Sequence, residues 1–151
     1  MTESADYQRP GWVTNHVMNP IVAGLTRLGI SVWGSRVLEV PGRRSGRPRR
    51  TPVNLLSLGG ERYLVAPRGQ TQWVRNLRAG GRGRLLRGST AEDFAAVELT
   101  DAAKPTVLRA YLRRWAFEVG AFFDGVSADS SDEELRRIAA DHPVFRVTPA
   151  A

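Results

Sequence analysis

The sequence contains no cysteine, only two histidines, and Lys104 as the single lysine among its 22 basic residues. Without cysteine the chain can form no disulfide, thiolate nucleophile, thiolate metal site or redox dithiol. His16 and His142 lie far apart in the sequence, so a histidine-rich metal centre is excluded and a Ser-His-Asp triad has little to build on. Because His142 precedes Pro143 where a helix is expected to end, we expect it to cap helix carbonyls. No metal site is predicted.

The sequence also lacks long apolar runs. No stretch approaches the roughly 20 apolar residues of a membrane-spanning helix, and residues 1–10 have neither the basic start nor the apolar run of a signal peptide. These absences predict a cytoplasmic protein. Hydrophobic residues make up 42% and charged residues 25% of the 151 residues, which is typical of a globular domain. We therefore expect a single domain over residues 1–151, with a flexible end at residues 1–11.

Positive charge is plentiful, with a net charge of +7, but it is concentrated in one block. Residues 43–87 contain twelve arginines against Glu61 as the only acidic residue, whereas residues 1–42 are balanced and residues 88–151 are net acidic. A uniformly cationic, solubilising surface would not be distributed in this way. The block therefore predicts an anionic partner. On charge alone this partner is a nucleic acid, an anionic lipid, or a small phosphorylated or polycarboxylate ligand.

Hydrophobic periodicity predicts an α+β fold. Helical spacing predicts two short pieces within residues 12–28, a short helix over residues 71–79, a long helix over residues 102–123 and a last helix after a capping box at Ser131. Alternating apolar residues predict six strands, over residues 35–40, 49–58, 63–66, 84–87, 94–99 and 144–148, with a hairpin at Gly59-Gly60. Short strands interleaved with helices, without long βαβ alternation, favour a six-stranded antiparallel barrel flanked by helices over a doubly wound sheet.

Two segments of the basic block have the chemistry of an anion site. Residues 42–50 form a loop between predicted strands and carry five arginines, whose planar guanidinium groups suit bidentate contacts to phosphate or carboxylate. Residues 66–77 place a strand end, a glycine turn and a helix N-terminus in succession, and such a terminus also favours anions or polar rings. Neither segment has the pattern of a phosphate-binding P-loop or a Rossmann fingerprint. Trp73 and Asn76 share one helical face, either as ligand contacts or as a packed Trp with a capping amide.

Together these segments resemble the deazaflavin (coenzyme F420)-dependent nitroreductase and quinone reductase family, whose fold is the flavin-binding split β-barrel. The resemblance lies in GRRSGRPRRTPV at residues 42–53, YLVA at residues 63–66, the turn at Gly69, and Trp73 and Asn76 in WVRNLRA. It implies a hydride transfer from the reduced coenzyme to an electron-poor acceptor such as a quinone, an enone or a nitro compound. The resemblance also implies that the cofactor, rather than a catalytic side chain, supplies the reactive group.

The resemblance further implies which residues bind the coenzyme. Basic residues matching Arg44 and Arg49 would hold its phosphate and oligoglutamate tail. The full implied set is Arg44, Arg49, Arg50, Pro52, Ala66, Pro67, Arg68, Gly69, Trp73 and Asn76. Pro67 departs from the family, whose members often have Ser at this position. Tyr111 and Trp115 would line an apolar acceptor pocket, although their helical spacing indicates core packing first.

Several alternatives stay open at this stage. Some split-barrel relatives bind FMN, which is the alternative cofactor, and others bind lipids without redox chemistry. A nucleic-acid-binding module is disfavoured, because residues 43–50 contain no aromatic side chain on which a base would stack. An apolar N-terminal helix with Trp12, beside the basic loop, would suit peripheral membrane contact. The sequence leaves a monomer and a homodimer equally open.

Overall fold

The computed structural model describes residues 34–150, in which six antiparallel strands close into a barrel. The strands are β1 (Ser35–Pro41), β2 (Pro48–Leu58), β3 (Glu61–Val65), β4 (Arg82–Arg87), β5 (Thr90–Glu98) and β6 (Val144–Pro149). Their order around the barrel is β1-β2-β3-β6-β5-β4, and β4 pairs back with β1. The predicted α+β class and six-stranded antiparallel barrel are confirmed. The predicted helical pieces within residues 12–28, the flexible end and His16 lie outside the described residues.

Tight connections between neighbouring strands set the register of the barrel. The loop at residues 42–47 joins β1 to β2 and places Glu39 opposite Arg50. Gly59 and Gly60 form the two-residue turn between β2 and β3 with φ angles of 59° and 82°. Positive φ at both positions is the geometry that a tight hairpin turn needs and that glycine adopts without a Cβ clash. The predicted hairpin is therefore confirmed.

Three α-helices accompany the barrel within the described part of the chain: α1 (Gln72–Gly80), α2 (Pro105–Val119) and α3 (Asp132–Ile138). α1 ends where Gly81 adopts a left-handed φ of 72° and its N–H donates to the Leu77 carbonyl. α3 begins as predicted, because the Ser131 hydroxyl accepts from the Glu134 N–H at 3.2 Å. Short 3₁₀ turns flank the helices at Asp101–Ala103, Gly120–Phe123 and Ala139–Asp141.

The prediction of one unbroken helix over residues 102–123 is wrong. Pro105 opens α2, since proline lacks an N–H and fits the first helical turn. Near the other end, Trp115 leaves the helical region with φ −127° and ψ 15°, and a 3₁₀ turn replaces the α-helix at Gly120. Apolar residues continue to recur across both breaks, so periodicity alone did not reveal them.

Within residues 34–150, two hydrophobic clusters stabilise the fold. One fills the barrel lumen and includes Val74 and Leu77 of α1, which covers one end of the barrel. The other packs α2 on the outer face of β2 and β3, where Leu56 and Val65 are buried, and packs α3 against α2. Burying each large apolar side chain contributes roughly 1.5–3 kcal/mol. The largest fully buried lumen residues are Leu38, Leu64, Leu77, Phe94 and Phe145.

Charged side chains close the barrel end away from α1. Strand alternation directs Arg36, Arg62, Arg87 and Glu92 inward, each two positions from a lumen residue. Arg62 Nη1 donates to Glu92 Oε1 at 2.8 Å, and this hydrogen bond lowers the pKa of the Glu92 carboxyl. Burial and the nearby charges of Arg87 and Arg62 lower the pKa of Arg36.

At Gly83, β4 passes so close to β1 that no side chain fits. A Cβ there would lie 2.7 Å from the Glu39 carbonyl oxygen and 3.0 Å from the Phe94 ring. Glycine at this position therefore lets the two strands and the lumen aromatic pack together.

Within residues 34–150, no helix has the length and apolarity required to cross a membrane. The same stretch contains no group of three or more His, Cys, Asp or Glu side chains arranged to hold a metal ion.

Candidate functional site

The basic loop at residues 42–47 is docked on α1. The Arg43 backbone N–H donates to Asn76 Oδ1 at 3.1 Å, and Arg43 Nη1 donates to the same oxygen at 2.8 Å. Arg43 Nη1 also donates to Gln72 Oε1 at 2.9 Å. The two segments that the sequence singled out separately therefore form one surface, and the buried Asn76 side chain is the connection between them.

Internal hydrogen bonds give the loop a defined shape. The Gly42 N–H donates to the Arg47 carbonyl at 2.8 Å, and the Gly46 N–H donates to the Gly42 carbonyl at 2.8 Å. The Arg47 N–H donates to the Ser45 hydroxyl at 3.1 Å. Gly46 has a φ of 73°, which favours glycine. The loop is consequently a folded turn that directs Arg43 toward α1 and leaves Arg44 and Arg47 exposed.

The loop arginines differ in their partners. Arg44, Arg47 and Arg49 are exposed, and none forms an ion pair with an acidic residue of the described chain. Arg50 instead donates from Nε to Glu39 Oε2 at 2.8 Å, and Arg84 Nη1 reaches Glu39 Oε1 at 3.4 Å. Three guanidinium groups are thus available to an anion, whereas Arg50 is engaged in a pair across β1 and β2.

A glycine turn leads from the end of β3 into α1. The Gly69 N–H donates to the Ala66 carbonyl at 3.4 Å, and the Thr71 N–H donates to the Gly69 carbonyl at 2.9 Å. Gly69 is buried and has a φ of 85°. The side chain of Thr71 makes no cap bond to α1, and its hydroxyl is buried without a hydrogen-bond partner among the described residues. At the start of α1, neither the first backbone N–H groups nor the Thr71 hydroxyl is satisfied by a side-chain capping bond between them.

Trp73 and Asn76, predicted to share a helical face, have different environments. Trp73 is partly buried and packs against the lumen cluster, with its ring centroid 6.0 Å from that of Phe145. Asn76 accepts both hydrogen bonds from Arg43 and so faces the basic loop. The capping interpretation of Asn76 is wrong, because its amide oxygen binds the loop rather than the helix end.

Tyr111 and Trp115 belong to the outer hydrophobic cluster, with exposed fractions of 2% and 0%. Asn54 hydrogen-bonds both the Tyr111 hydroxyl and the Glu118 carboxyl. Burial raises the pKa of Tyr111 and that of Glu118, while the Asn54 bonds and the charge of Arg68 oppose the rise at Tyr111. The core interpretation is the one that this packing supports.

Asn54 was missed by sequence reasoning. It stands between two apolar residues of β2, and only its position opposite Ser35 and its contacts with α2 distinguish it from an ordinary strand residue. The sequence feature that could have indicated its role is that Asn54 is a single polar residue between apolar neighbours in β2.

His142 is the C-cap of the 3₁₀ turn at Ala139–Asp141, so the capping role predicted for it is confirmed for its backbone. Its backbone N–H donates to the Ala139 carbonyl at 3.2 Å, but the ring does not cap the preceding helix. Nδ1 instead lies 3.2 Å from the carbonyl oxygen of Ala66, and the ring stacks on Phe123 at 4.1 Å with a 10° interplanar angle. Burial lowers the pKa of this buried imidazole.

The structure is therefore a closed barrel with an arginine-rich loop docked beside the N-terminal half of α1. A family model described as F420H(2)-dependent quinone reductase matches residues 22–119. The chain belongs to this family. It is therefore an oxidoreductase, a reductase that uses coenzyme F420 as its cofactor, as the resemblance implied.

Solved structures with the same fold are distant in sequence. An F420-H2-dependent reductase, FDR-A, is 18% identical with a TM-score of 0.53, over 76% of this chain and 94% of that one. The conserved hypothetical protein Rv2991 from Mycobacterium tuberculosis is 17% identical with a TM-score of 0.53, over 100% and 87%. A protein described as a domain-swapped dimer is 17% identical with a TM-score of 0.57, over 91% and 97%. At these identities the likeness establishes the fold alone. No curated protein sequence matches the chain.

The donor groups of this chain fit a phosphorylated deazaflavin. Arg44, Arg47 and Arg49 have no carboxylate partner in the described chain and suit phosphate or carboxylate groups. The buried Thr71 hydroxyl at the start of α1 has an unused hydrogen-bonding capacity. The buried Gly69, without a Cβ, leaves the backbone of the turn open to close approach.

Proposed function

We propose that the protein transfers a hydride from reduced F420 to a quinone or a similar electron-poor conjugated acceptor, with the coenzyme held between the basic loop and the N-terminus of α1. When bound, the reduced coenzyme supplies the hydride. The observation that carries the proposal is the docking of the loop on Asn76, which brings arginines without a carboxylate partner within residues 34–150 next to a helix N-terminus.

In this proposal Arg44 and Arg49 hold the phosphate and carboxylate groups of the coenzyme tail. Guanidinium groups on a folded turn lose less entropy on binding than the same groups on a free chain, and they form bidentate hydrogen bonds. Arg68, on the turn before α1, extends the same positive surface toward the ring. Arg50, which is paired with Glu39 at 2.8 Å, supports β1 and β2 instead of contacting the ligand.

The turn at residues 66–71 and the first turn of α1 orient the ring system. The N–H groups at the start of α1 and the helix dipole favour electron-rich oxygens of the ring, and the Thr71 hydroxyl gains a partner there. Pro52 on β2 and Trp73 on α1 supply apolar surface beside the ring, and Pro67 and Gly69 line its edge. Ala66, with an exposed fraction of 1%, supports the turn from within instead of contacting the ring. Tyr111 and Trp115, buried in the outer cluster, keep this face of β2 rigid instead of contacting the acceptor.

A fluorescence titration tests the cofactor. Oxidised F420, FMN and a short oligonucleotide are each titrated into the protein at two salt concentrations. We expect tight binding of F420 only, weakened by salt, because the tail contacts are ionic. Tight FMN binding with no F420 binding would overturn the proposal, as would oligonucleotide binding at both salt concentrations.

Arginine variants test the site. Arg44→Gln with Arg49→Gln should weaken F420 binding ~100-fold or more, because two charge-assisted hydrogen-bonding groups contribute about 1.5–3 kcal/mol each. Arg136→Gln with Arg146→Gln, which removes the same charge from α3 and β6, should change the dissociation constant less than ~3-fold. Equal losses in the two variants would mean that charge acts only at long range.

The acceptor is tested by anaerobic stopped-flow mixing of reduced F420 and enzyme with menadione, cyclohexenone or nitrobenzene. Oxidation of the coenzyme is followed by its absorbance. We expect the quinone to react fastest; a faster reaction with the nitro compound would contradict the quinone assignment while leaving the cofactor assignment intact.

A further inference from the structure

One imidazole from outside the basic block lies directly against the turn that precedes α1. His142 stands 76 positions after Ala66 in the sequence, and its Nδ1 is 3.2 Å from the Ala66 carbonyl oxygen. We infer that His142 is a positioning residue that holds the turn at residues 66–69 in the geometry needed for coenzyme binding. This inference rests on the proposed function, because it assigns that turn to the ring of the coenzyme.

The Ala66 peptide is held on two sides by consecutive residues of the distant segment. Its N–H donates to the Pro143 carbonyl at 2.9 Å, and its carbonyl accepts from the His142 ring. The same carbonyl accepts from the Gly69 N–H at the longer distance of 3.4 Å. The ring also bonds the backbone of Pro67, the next residue of the turn. Without the imidazole, the Ala66 carbonyl would retain only the long bond from the Gly69 N–H.

The imidazole is itself fixed in place. It has an exposed fraction of 1% and stacks on the Phe123 ring at 4.1 Å. Its backbone N–H donates to the Ala139 carbonyl at 3.2 Å, and the buried Lys104 Nζ donates to that carbonyl at 2.8 Å. Because stacking and the backbone bond fix the His142 ring, the hydrogen bond from the ring also restricts the movement of the Ala66 carbonyl.

The turn requires such support because glycine allows it to move. Gly69 has a φ of 85° and no side chain to anchor it, and it precedes the N-cap of α1 by two residues. A small displacement there would redirect the first N–H groups of the helix, which are the groups proposed to face the ring. With 1% exposure, His142 has no side-chain atom that reaches a ligand, so its influence acts through Ala66 and Pro67.

Three substitutions separate positioning from simple packing. His142→Asn keeps an N–H donor near the Nδ1 position, whereas His142→Phe keeps a flat ring on Phe123 and loses the donor. Phe123→Leu weakens the stack and keeps the imidazole. Each variant is measured for its thermal midpoint, its dissociation constant for oxidised F420, and its kcat and KM for menadione reduction.

We expect His142→Phe to weaken F420 binding ~10-fold or more, the size expected when a buried carbonyl loses its donor. His142→Asn should remain within ~3-fold of the parent protein, and Phe123→Leu should lower the midpoint with little change in affinity. Unchanged affinity in His142→Phe would overturn the inference. An equal loss in the Asn and Phe variants would also overturn it, because the donor would then not be the active feature.

A measurement without coenzyme separates this inference from the proposed function. Hydrogen exchange of the Gly69 and Thr71 amides should accelerate ~10-fold or more in His142→Phe relative to His142→Asn, because the turn opens more often. Equal exchange rates would overturn the inference even if F420 binds. If the Phe variant does not fold, His142→Gln replaces it, because Gln donates from the Nε2 position; equal protection in the Asn and Gln variants then overturns the inference. Failure of the parent protein to bind F420 counts against the proposed function alone.

Discussion

Arg43 and Asn76 are 33 positions apart in the sequence, and the backbone and the guanidinium group of Arg43 both donate to the same Asn76 oxygen, at 3.1 and 2.8 Å. A backbone hydrogen bond fixes the path of the loop, and the second bond fixes the direction of the side chain. The orientation of the basic loop therefore depends on one buried amide in α1.

Asn76→Ala should release the loop from α1. We expect a loss of about 1–2 kcal/mol in the free energy of unfolding and a weaker dissociation constant for F420, because two hydrogen bonds lose their acceptor. Urea unfolding and coenzyme titration measure the two effects. Gln72→Ala removes an exposed bond to Arg43 and leaves both bonds to Asn76 in place, so it serves as the control, with a change below ~0.5 kcal/mol. Full coenzyme affinity in Asn76→Ala would show that docking does not orient the arginines.

The protein should lose stability between pH 7.5 and pH 5.5 because of His142. Burial lowers its pKa in the folded state below the ordinary value of 6.5, and Lys104 lowers it further, although Asp141 and the hydrogen bonds to Ala66 and Pro67 oppose this shift. As the pH falls through about 6.5, His142 becomes protonated in the unfolded chain but stays neutral in the folded protein. The free energy of unfolding therefore decreases.

The slope has an upper limit of ~1.4 kcal/mol per pH unit for one group. Urea denaturation at several pH values measures it, and His142→Asn, which does not titrate in this range, should give a flatter profile. Glu92, whose pKa is lowered by Arg62, loses its stabilising contribution only near and below pH 4.5, outside the range measured. Parallel profiles for the two proteins would rule out His142 as the source.

The ion pairs of Glu39, which join β1 to β2 and β4, should stabilise the fold more than the exposed ion pairs do. Its side chain is 10% exposed and is bonded to Arg50 at 2.8 Å and to Arg84 at 3.4 Å. Glu39→Gln should cost about 2 kcal/mol, since a nearly buried carboxylate loses charge-assisted hydrogen bonds. Thermal and urea unfolding measure this cost.

The matched control is Glu98→Gln. Glu98 pairs with Arg78 at 2.7 Å, but both side chains are substantially exposed, so we expect a loss below ~1 kcal/mol. F420 affinity should stay within ~3-fold in Arg50→Gln, because Arg50 is committed to Glu39. A large loss of F420 affinity in Arg50→Gln would instead show that Arg50 contacts the coenzyme.

Gly83→Ala should destabilise the barrel. The added Cβ would lie 2.7 Å from the Glu39 carbonyl oxygen. Relieving this clash would require β1 and β4 to move apart, which would weaken the hydrogen bonds between them. We expect a cost of at least ~1–3 kcal/mol, the range for overpacking a core. Gly80→Ala, at the end of α1 with nothing within 4 Å of the new Cβ, should be neutral or stabilising by up to ~1 kcal/mol. Equal stability of the two variants would contradict the close approach.

Local patterns predicted most of the fold. Alternation located six strands, Gly59-Gly60 located a hairpin turn, and Ser131 located the start of α3, because each depends on residues close in sequence. The breaks around α2 were missed, because apolar residues recur across Trp115 and Gly120 whether or not the helix is continuous.

The candidate site was predictable in its parts and not in its connections. The basic loop and the glycine turn stand out in the sequence, but the bond from Arg43 to Asn76 depends on how β1 and α1 meet. The contact of His142 with Ala66 likewise requires β6 to pair with β3. The partner of Arg50 becomes evident only once the register places Glu39 opposite it.

β6 lies between β3 and β5 although it is made last of the six strands. A nascent chain leaving the ribosome therefore cannot close its barrel until residues 144–149 have emerged, and Phe145 and Val147 only then enter the lumen. Such long-range pairing is slow and leaves earlier strands exposed while synthesis continues. The turn at Ala66 receives its bonds from His142 and Pro143 at the same late moment. The proposed coenzyme site can therefore form only after β6 has been synthesised.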